Sequence, residues 1–150
     1  YEEMSIKQFK DSRGTFIPYD VKGWDQVNIV TNEKQYTFRG MHWQTNPAQI
    51  KCVKVIQGSV IDFLYNLKTL EVEFYNLNSS SEPITIGEDY AHGYLTLEPN
   101  TIFTYLVKGE YNPQSEHSLV WNKVKAIRDM INTVIGNKEL IISDKDKLGK

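Results

Sequence analysis

The chain opens as short runs in which apolar and polar side chains alternate, the period-two pattern of half-buried strands. Ser5 to Phe9, Thr15 to Tyr19 and Gln26 to Thr31 are three such runs, separated by turn chemistry at Asp11-Ser12-Arg13-Gly14 and Lys22-Gly23. Tyr36 to Gln44 is the next, and Thr45-Asn46-Pro47 ends it. Lys51 to Ile56 and Ser59 to Tyr65 flank Gln57-Gly58 and predict a hairpin. A second predicted hairpin pairs Glu71 to Asn76 with Ile84 to Ile86 across Asn78-Ser79-Ser80-Ser81. Gly93 to Leu97 and Thr101 to Val107 flank a third turn, Glu98-Pro99-Asn100. Many short strands at regular spacing predict an all-β fold, a sandwich or a barrel such as the jelly roll.

From Lys123 the period changes. Val124, Ile127, Ile131 and Val134 fall three or four residues apart, a helical stripe that Gly136-Asn137 stops. Leu140 to Ser143 reads as a brief extended return, and Asp144-Lys145-Asp146-Lys147, on composition alone, as a frayed charged end. There is no internal repeat, low-complexity tract or linker. The 150 residues therefore predict one domain with one core, and one site.

A net charge of −2 gives no clustered cation surface for nucleic acid or an anionic membrane, so the expected partner is a small molecule or a second copy of the chain. Cys52 is the only cysteine, which excludes an intrachain disulfide and a cysteine-rich metal site and fits a reducing cytoplasm. Tyr1-Glu2-Glu3-Met4-Ser5-Ile6 has neither the basic start nor the apolar run of a secretory signal. No apolar run approaches the roughly 20 residues of a membrane span.

Chemistry is most legible in Phe38-Arg39-Gly40-Met41-His42-Trp43-Gln44. A strand gains more from an apolar side chain than from imidazole unless it lines a cavity where a proton moves, which makes His42 the first catalytic candidate. Period-two counting puts Phe38, Gly40, His42 and Gln44 on one face and Arg39 on the other, unless Gly40 permits a bulge. Lys51, Val53 and Val55 likewise share a face. A base beside a cation suits removal of a proton next to a carbonyl, with the enolate oxygen held by the cation. Each residue also has a structural reading: His42 as a satisfied strand histidine, His92 as a turn histidine, Tyr105 as a core aromatic and Tyr111 as a rim aromatic. No metal is expected, since His42-Trp43-Gln44 puts an amide where a second imidazole would be wanted and the chain has three histidines in all. A Gly-rich phosphate loop and a Gly-x-Ser-x-Gly elbow are both absent from the sequence.

In order, these stretches resemble the dTDP-4-dehydrorhamnose 3,5-epimerase family of cupins, from Asp11-Ser12-Arg13-Gly14 to Ser143-Asp144-Lys145-Asp146. Arg39-Gly40-Met41-His42-Trp43-Gln44 is similar to the family's Arg-Gly-Leu-His-aromatic-Gln, and Pro47-Ala48-Gln49-Ile50-Lys51 to the segment that follows it. Gly58 to Asp62, Ala91-His92-Gly93-Tyr94 and Tyr111 to Glu116 also match. The resemblance implies a cupin jelly-roll barrel with a short C-terminal helical segment, a homodimer, a nucleotide-diphosphate 4-keto-6-deoxyhexose as substrate, and no metal or organic cofactor. It implies that His42 is the base, Asp146 its dyad partner, Lys51 the group that polarises the ketone and Tyr105 the proton donor on the opposite face. The charged tail is then expected to fold back onto the site. Arg13, Arg39 and Lys145 would hold the diphosphate, Arg13 crossing to the partner's site, and Tyr111 would stack on the base. Gln44, Asn32, His92 and Glu116 would complete the substrate pocket.

The chain departs from the family's pattern at Pro18, where the family has Glu, and at Val30, where it has Gln. Lys123 replaces an Asp, the predicted helix replaces a later Trp-Pro, and the His42 to Lys51 spacing is one residue shorter. Two alternatives stay open: a related 4-keto sugar ketoisomerase, against which the single histidine of His42-Trp43-Gln44 argues, and a non-catalytic cupin that binds sugar nucleotides or glycans.

Overall fold

The alternating runs become strands of two facing antiparallel sheets in a computed structural model that describes Glu2–Glu3 and residues 8–148. In chain order they are β1 (Glu2–Glu3), β2 (Phe9–Asp11), β3 (Gly14–Phe16), β4 (Gln26–Asn32), β5 (Phe38–Gln44), β6 (Ile50–Gln57), β7 (Ser59–Asn66), β8 (Val72–Asn78), β9 (Ile84–Ile86), β10 (Tyr90–Thr96), β11 (Thr101–Lys108) and β12 (Glu116–Ser118). Helices α1 (Lys125–Ile135) and α2 (Asp144–Leu148) follow. One sheet has the order β1-β9-β6-β11-β4 and the other β12-β5-β10-β7-β8. Val53, Val55, Ile84 and Phe103 from the first pack between the sheets on Val60, Leu64, Leu77 and Tyr94 from the second. This is the expected all-β jelly roll.

Neither predicted hairpin forms. β6 and β7 lie in opposite sheets, as do β8 and β9; β8 pairs with β7, while β9 crosses to pair with β6 and β1. Turn residues fix where the chain reverses but not which sheet the next strand joins. From β4 onward every reversal except that between β7 and β8 passes from one sheet to the other, and the left-handed Gly58 (φ 84°) marks such a corner. Of the predicted Ser5 to Phe9 strand, residues 5–7 lie outside the described residues. Phe9 instead opens a small exposed hairpin, β2 with β3, around Ser12-Arg13.

The helix forms where the stripe predicts it. An 11-residue helix with no side-chain cap at Val124 has little stability of its own. It is held by burying Ile127, Ile131 and Ile135 against Phe38, Met41, Ile61, Phe63 and Leu95 on the outer face of the second sheet. Each such isoleucine contributes about 1.5–3 kcal/mol relative to exposure, which makes packing the larger effect. Gly136 ends it at φ 58°. The chain then returns along the edge of β5, where Ile141 bridges Thr37 and exchanges backbone hydrogen bonds with Tyr36 and Phe38. The charged end does not fray: it forms α2, with Asp146 buried.

Within β5, period-two counting fails at Gly40. His92 of β10 is the register partner of His42 and Tyr94 that of Arg39, so two steps on β10 answer three on β5. This bulge puts Phe38 and Met41 together in the core under α1 and turns Arg39 to the same side as His42. Phe38 therefore does not share the face of His42. Only glycine fits: φ is 138°, and a Cβ there would come 2.5 Å from Gly93 Cα.

Candidate active site

Between the sheets, on the far side of β5 from α1, two adjoining hollows of about 130 and 280 Å³ share His42, Lys51 and Tyr105 as common walls. They make one cleft. Four strands bring these groups together: β5 supplies His42, β6 Lys51, β10 His92 and β11 Tyr105. Lys51, Val53 and Val55 alternate inward along β6, and Tyr105 lies opposite Val53 in the same sheet. The Lys51 ammonium sits 5.7 Å from the centre of the Tyr105 ring.

His42 Nε2 is 2.6 Å from Asp146 Oδ1, and Asp146 Oδ2 accepts the Gly40 N–H at 3.2 Å. One carboxylate thus grips both the imidazole and the bulge beside it. Burial pushes the Asp146 carboxyl up, but the His42 bond, the His42 charge and the Gly40 N–H outweigh this and leave it below the ordinary value. With one nitrogen held by Asp146, the imidazole is oriented and Nδ1 is the nitrogen that Asp146 leaves uncommitted.

Burial drives the Lys51 ammonium below the usual lysine range, against the opposing pull of Glu116 and Asp62. Burial also raises the Tyr105 hydroxyl, partly offset by the Arg39 charge, so the phenol holds its proton. A cleft with an oriented imidazole, a buried ammonium and a protonated phenol can take a proton from one side of a carbon, hold an oxyanion and return a proton elsewhere.

The expected binding residues separate into groups. Arg39, His92 and Lys145 line the larger hollow, and Gln44, Tyr111 and Glu116 the smaller. Lys145 Nζ from α2 meets Glu116 Oε1 from β12 at 2.7 Å, a tie across the mouth of the cleft. Burial pushes the Glu116 carboxyl up, and Lys145 more than reverses it. Asn32 is buried behind the cleft and accepts from Arg39 Nε at 2.8 Å, so it aims the guanidinium. Gln44 spends its amide on Pro47 O, Glu110 O and the Asn112 N–H, tying two loops together. Arg13 is not brought to the cleft: it sits exposed at the β2–β3 turn, paired with Asp11 at 2.6 Å.

Gln26, Asn28, Gln49, Tyr94 and Phe103 also line the cleft and were not anticipated. The first two were legible. Along β4 the polar Gln26 and Asn28 face inward while Val27 and Ile29 face out, the reverse of a strand on a dry core. Among the described residues no cluster of three His, Cys, Asp or Glu is placed to hold a metal ion, and no helix is long and apolar enough to cross a membrane.

Comparison with known proteins places the chain in a family. A family model described as dTDP-4-dehydrorhamnose 3,5-epimerase matches residues 2–150. The enzyme of that name from Methanothermobacter thermautotrophicus is 30% identical over 154 residues, covering 93% of this chain and 82% of its own length. That from Neisseria gonorrhoeae is 30% identical over 129 residues and 76% of this chain, although the match spans only 39% of the relative's length. The crystal structure of the Bacillus anthracis enzyme, solved with TDP and PPi bound, is 26% identical and superposes with a TM-score of 0.80 over 96% of this chain and 89% of its own. With a jelly roll, a His–Asp pair facing a lysine and a tyrosine, and a family match along nearly its whole length, this chain belongs to the dTDP-4-dehydrorhamnose 3,5-epimerase family.

Proposed function

We propose that the chain is an isomerase that inverts carbon 3, carbon 5 or both in a nucleotide-diphosphate 4-keto-6-deoxyhexose. The observation that carries this is the convergence of His42, held by Asp146, with Lys51 and Tyr105 on one cleft. His42 takes the proton from the carbon beside the ketone, and the C–H pair becomes the enolate, its oxygen held by Lys51. Tyr105 then delivers its phenolic proton to the carbon from the other face, which inverts it, and solvent resets both groups. No oxidation state changes, so the chemistry calls for no cofactor. Arg39 and Lys145 take the diphosphate, and Tyr111, 59% exposed at the rim, stacks on the base. The Bacillus anthracis relative, solved with TDP and PPi bound, supports a nucleotide diphosphate as the kind of ligand.

Arg13 belongs to this set only if it comes from a second copy, so the reading includes a homodimer in which the β2–β3 hairpin reaches the partner's cleft. A reducing cytoplasmic setting fits the single buried thiol of Cys52. Val30, in the cleft wall at the position where the family's pattern has Gln, favours a second reading in which the site binds a sugar nucleotide without turning it over.

Incubated with such keto sugars in deuterated water, the wild type should exchange the protons beside the ketone and His42→Ala should not. Tyr105→Phe should lose product formation more than exchange. Saturable binding without exchange on any of them would overturn catalysis and leave the binding reading. A product with a moved carbonyl, identified by NMR, would instead identify a ketoisomerase.

A further inference from the structure

Among the buried ionisable groups that the mechanism leaves unused, Asp62 is the carboxyl tied to the catalytic cleft, through His92. Asp62 on β7 is fully buried, with Oδ1 2.6 Å from His92 Nε2 and Oδ2 without a hydrogen-bond partner. Its neighbours on the same strand face, Val60 and Leu64, are core residues between the sheets, so an apolar side chain would fit this position better than a carboxyl with an orphan oxygen. His92, which Asp62 grips, lines the cleft beside Lys51. The charged and titratable groups around the Lys51 ammonium are Arg39 and His42 on β5, Glu88 before β10, His92 and Tyr94 on β10, Tyr105 on β11, Tyr111, Glu116 on β12, Lys145 and Asp146 on α2 and, behind His92, Asp62 on β7. Four are carboxylates, of which Glu88 is exposed. Glu116 acts on Lys51 but is tied to Lys145 at 2.7 Å, and Asp146 gives one oxygen to His42 and the other to the Gly40 N–H; Asp62 Oδ2 is the buried carboxylate oxygen left without a hydrogen-bond partner.

We propose that Asp62 is a positioning residue for epimerisation: Oδ1 fixes the His92 ring in the cleft wall, and the charge reaching Oδ2 keeps Lys51 an ammonium before substrate arrives. The inference rests on the epimerase reading, and charge accounting supports it. The proton taken by His42 is balanced by Asp146, so the enolate needs a cation of its own, and burial works against one. Burial is the larger effect on both and holds the Asp62 carboxyl above and the Lys51 ammonium below their ordinary ranges, while each draws the other part of the way back toward its charged form. Asp62 touches no substrate; it acts through its two neighbours.

The test is Asp62→Asn, which keeps shape and removes charge. In the folded, ligand-free variant, heteronuclear NMR of the Lys51 ε-methylene should show its titration moved to lower pH, and the basic limb of the kcat profile should move the same way. Loss of preorganised charge at an oxyanion predicts a kcat about 100-fold lower, with KM changed by less than about threefold. An unchanged Lys51 titration, or an unchanged kcat, overturns the proposal. Where the variant does not fold, the wild-type Asp62 carboxyl decides: ionised at neutral pH supports the proposal, protonated overturns it. The Lys51 titration needs no substrate, so it reads Asp62 even if no keto sugar is turned over, which would be the failure of the epimerase reading alone.

Discussion

At the scale of single residues, the site depends on Asp146 arriving from 104 positions away in the chain to meet His42. Asp146→Asn preserves size and burial but offers an amide where a carboxylate is needed, so the imidazole is held in the wrong tautomer. We expect kcat to fall by on the order of 10²–10⁴ with KM little changed. The pH dependence has a definite sign. Asp146 is held below its unfolded value of about 3.9, so its contribution is fully present above that pH and is lost as pH falls through the lower, folded value. Hydrogen exchange should therefore show α2 docked at neutral pH and released only in acid; undocking that begins near neutral pH would contradict the direction. His42, Lys51, Tyr105 and Asp146 were readable because ordered motifs carry them. Asp62 lies in the matching Gly58 to Asp62 stretch but carried no role there, because β7 is buried on both faces and its pattern does not mark where the carboxyl points.

At the scale of elements, the sequence pattern gave the strands and α1, because alternation and a three-four stripe report burial on one face. It did not give their pairing. β6 and β7 each carry buried residues on both faces, and the turn between them looks the same whether the chain stays in its sheet or crosses. The bulge in β5 was legible only as a possibility attached to Gly40, and it is what brings Arg39 into the cleft with His42. Gly40→Ala would add left-handed strain and drive a Cβ to 2.5 Å from the Gly93 backbone, which cannot move aside as a side-chain tip could. We expect a loss of roughly 2 kcal/mol or more, read as a lower urea midpoint at constant slope. Arg39 should also lose its register, raising KM in whatever structure remains.

At the scale of the whole molecule, the two sheets are treated differently. The second has its outer face covered by α1, whereas on the first Val27, Ile29 and Ile56 are left 49%, 73% and 51% exposed. Phe9 and Phe16 of the neighbouring hairpin are exposed as well. Apolar side chains concentrated on an uncovered sheet suit a self-complementary contact between two copies. The Arg13 prediction follows from that arrangement. Under the proposed homodimer with Arg13 crossing to the partner's cleft, Arg13→Ala and His42→Ala should each be nearly inactive alone, because every site in either dimer lacks one group. Co-refolded in equal amounts, half the dimers are mixed, and each of these holds one site with His42 from one chain and Arg13 from the other. Activity should therefore return to about a quarter of the wild-type value under two-fold symmetry. No recovery, in a mixture shown by mass spectrometry to contain mixed dimers, would place Arg13 in its own chain's site or in none.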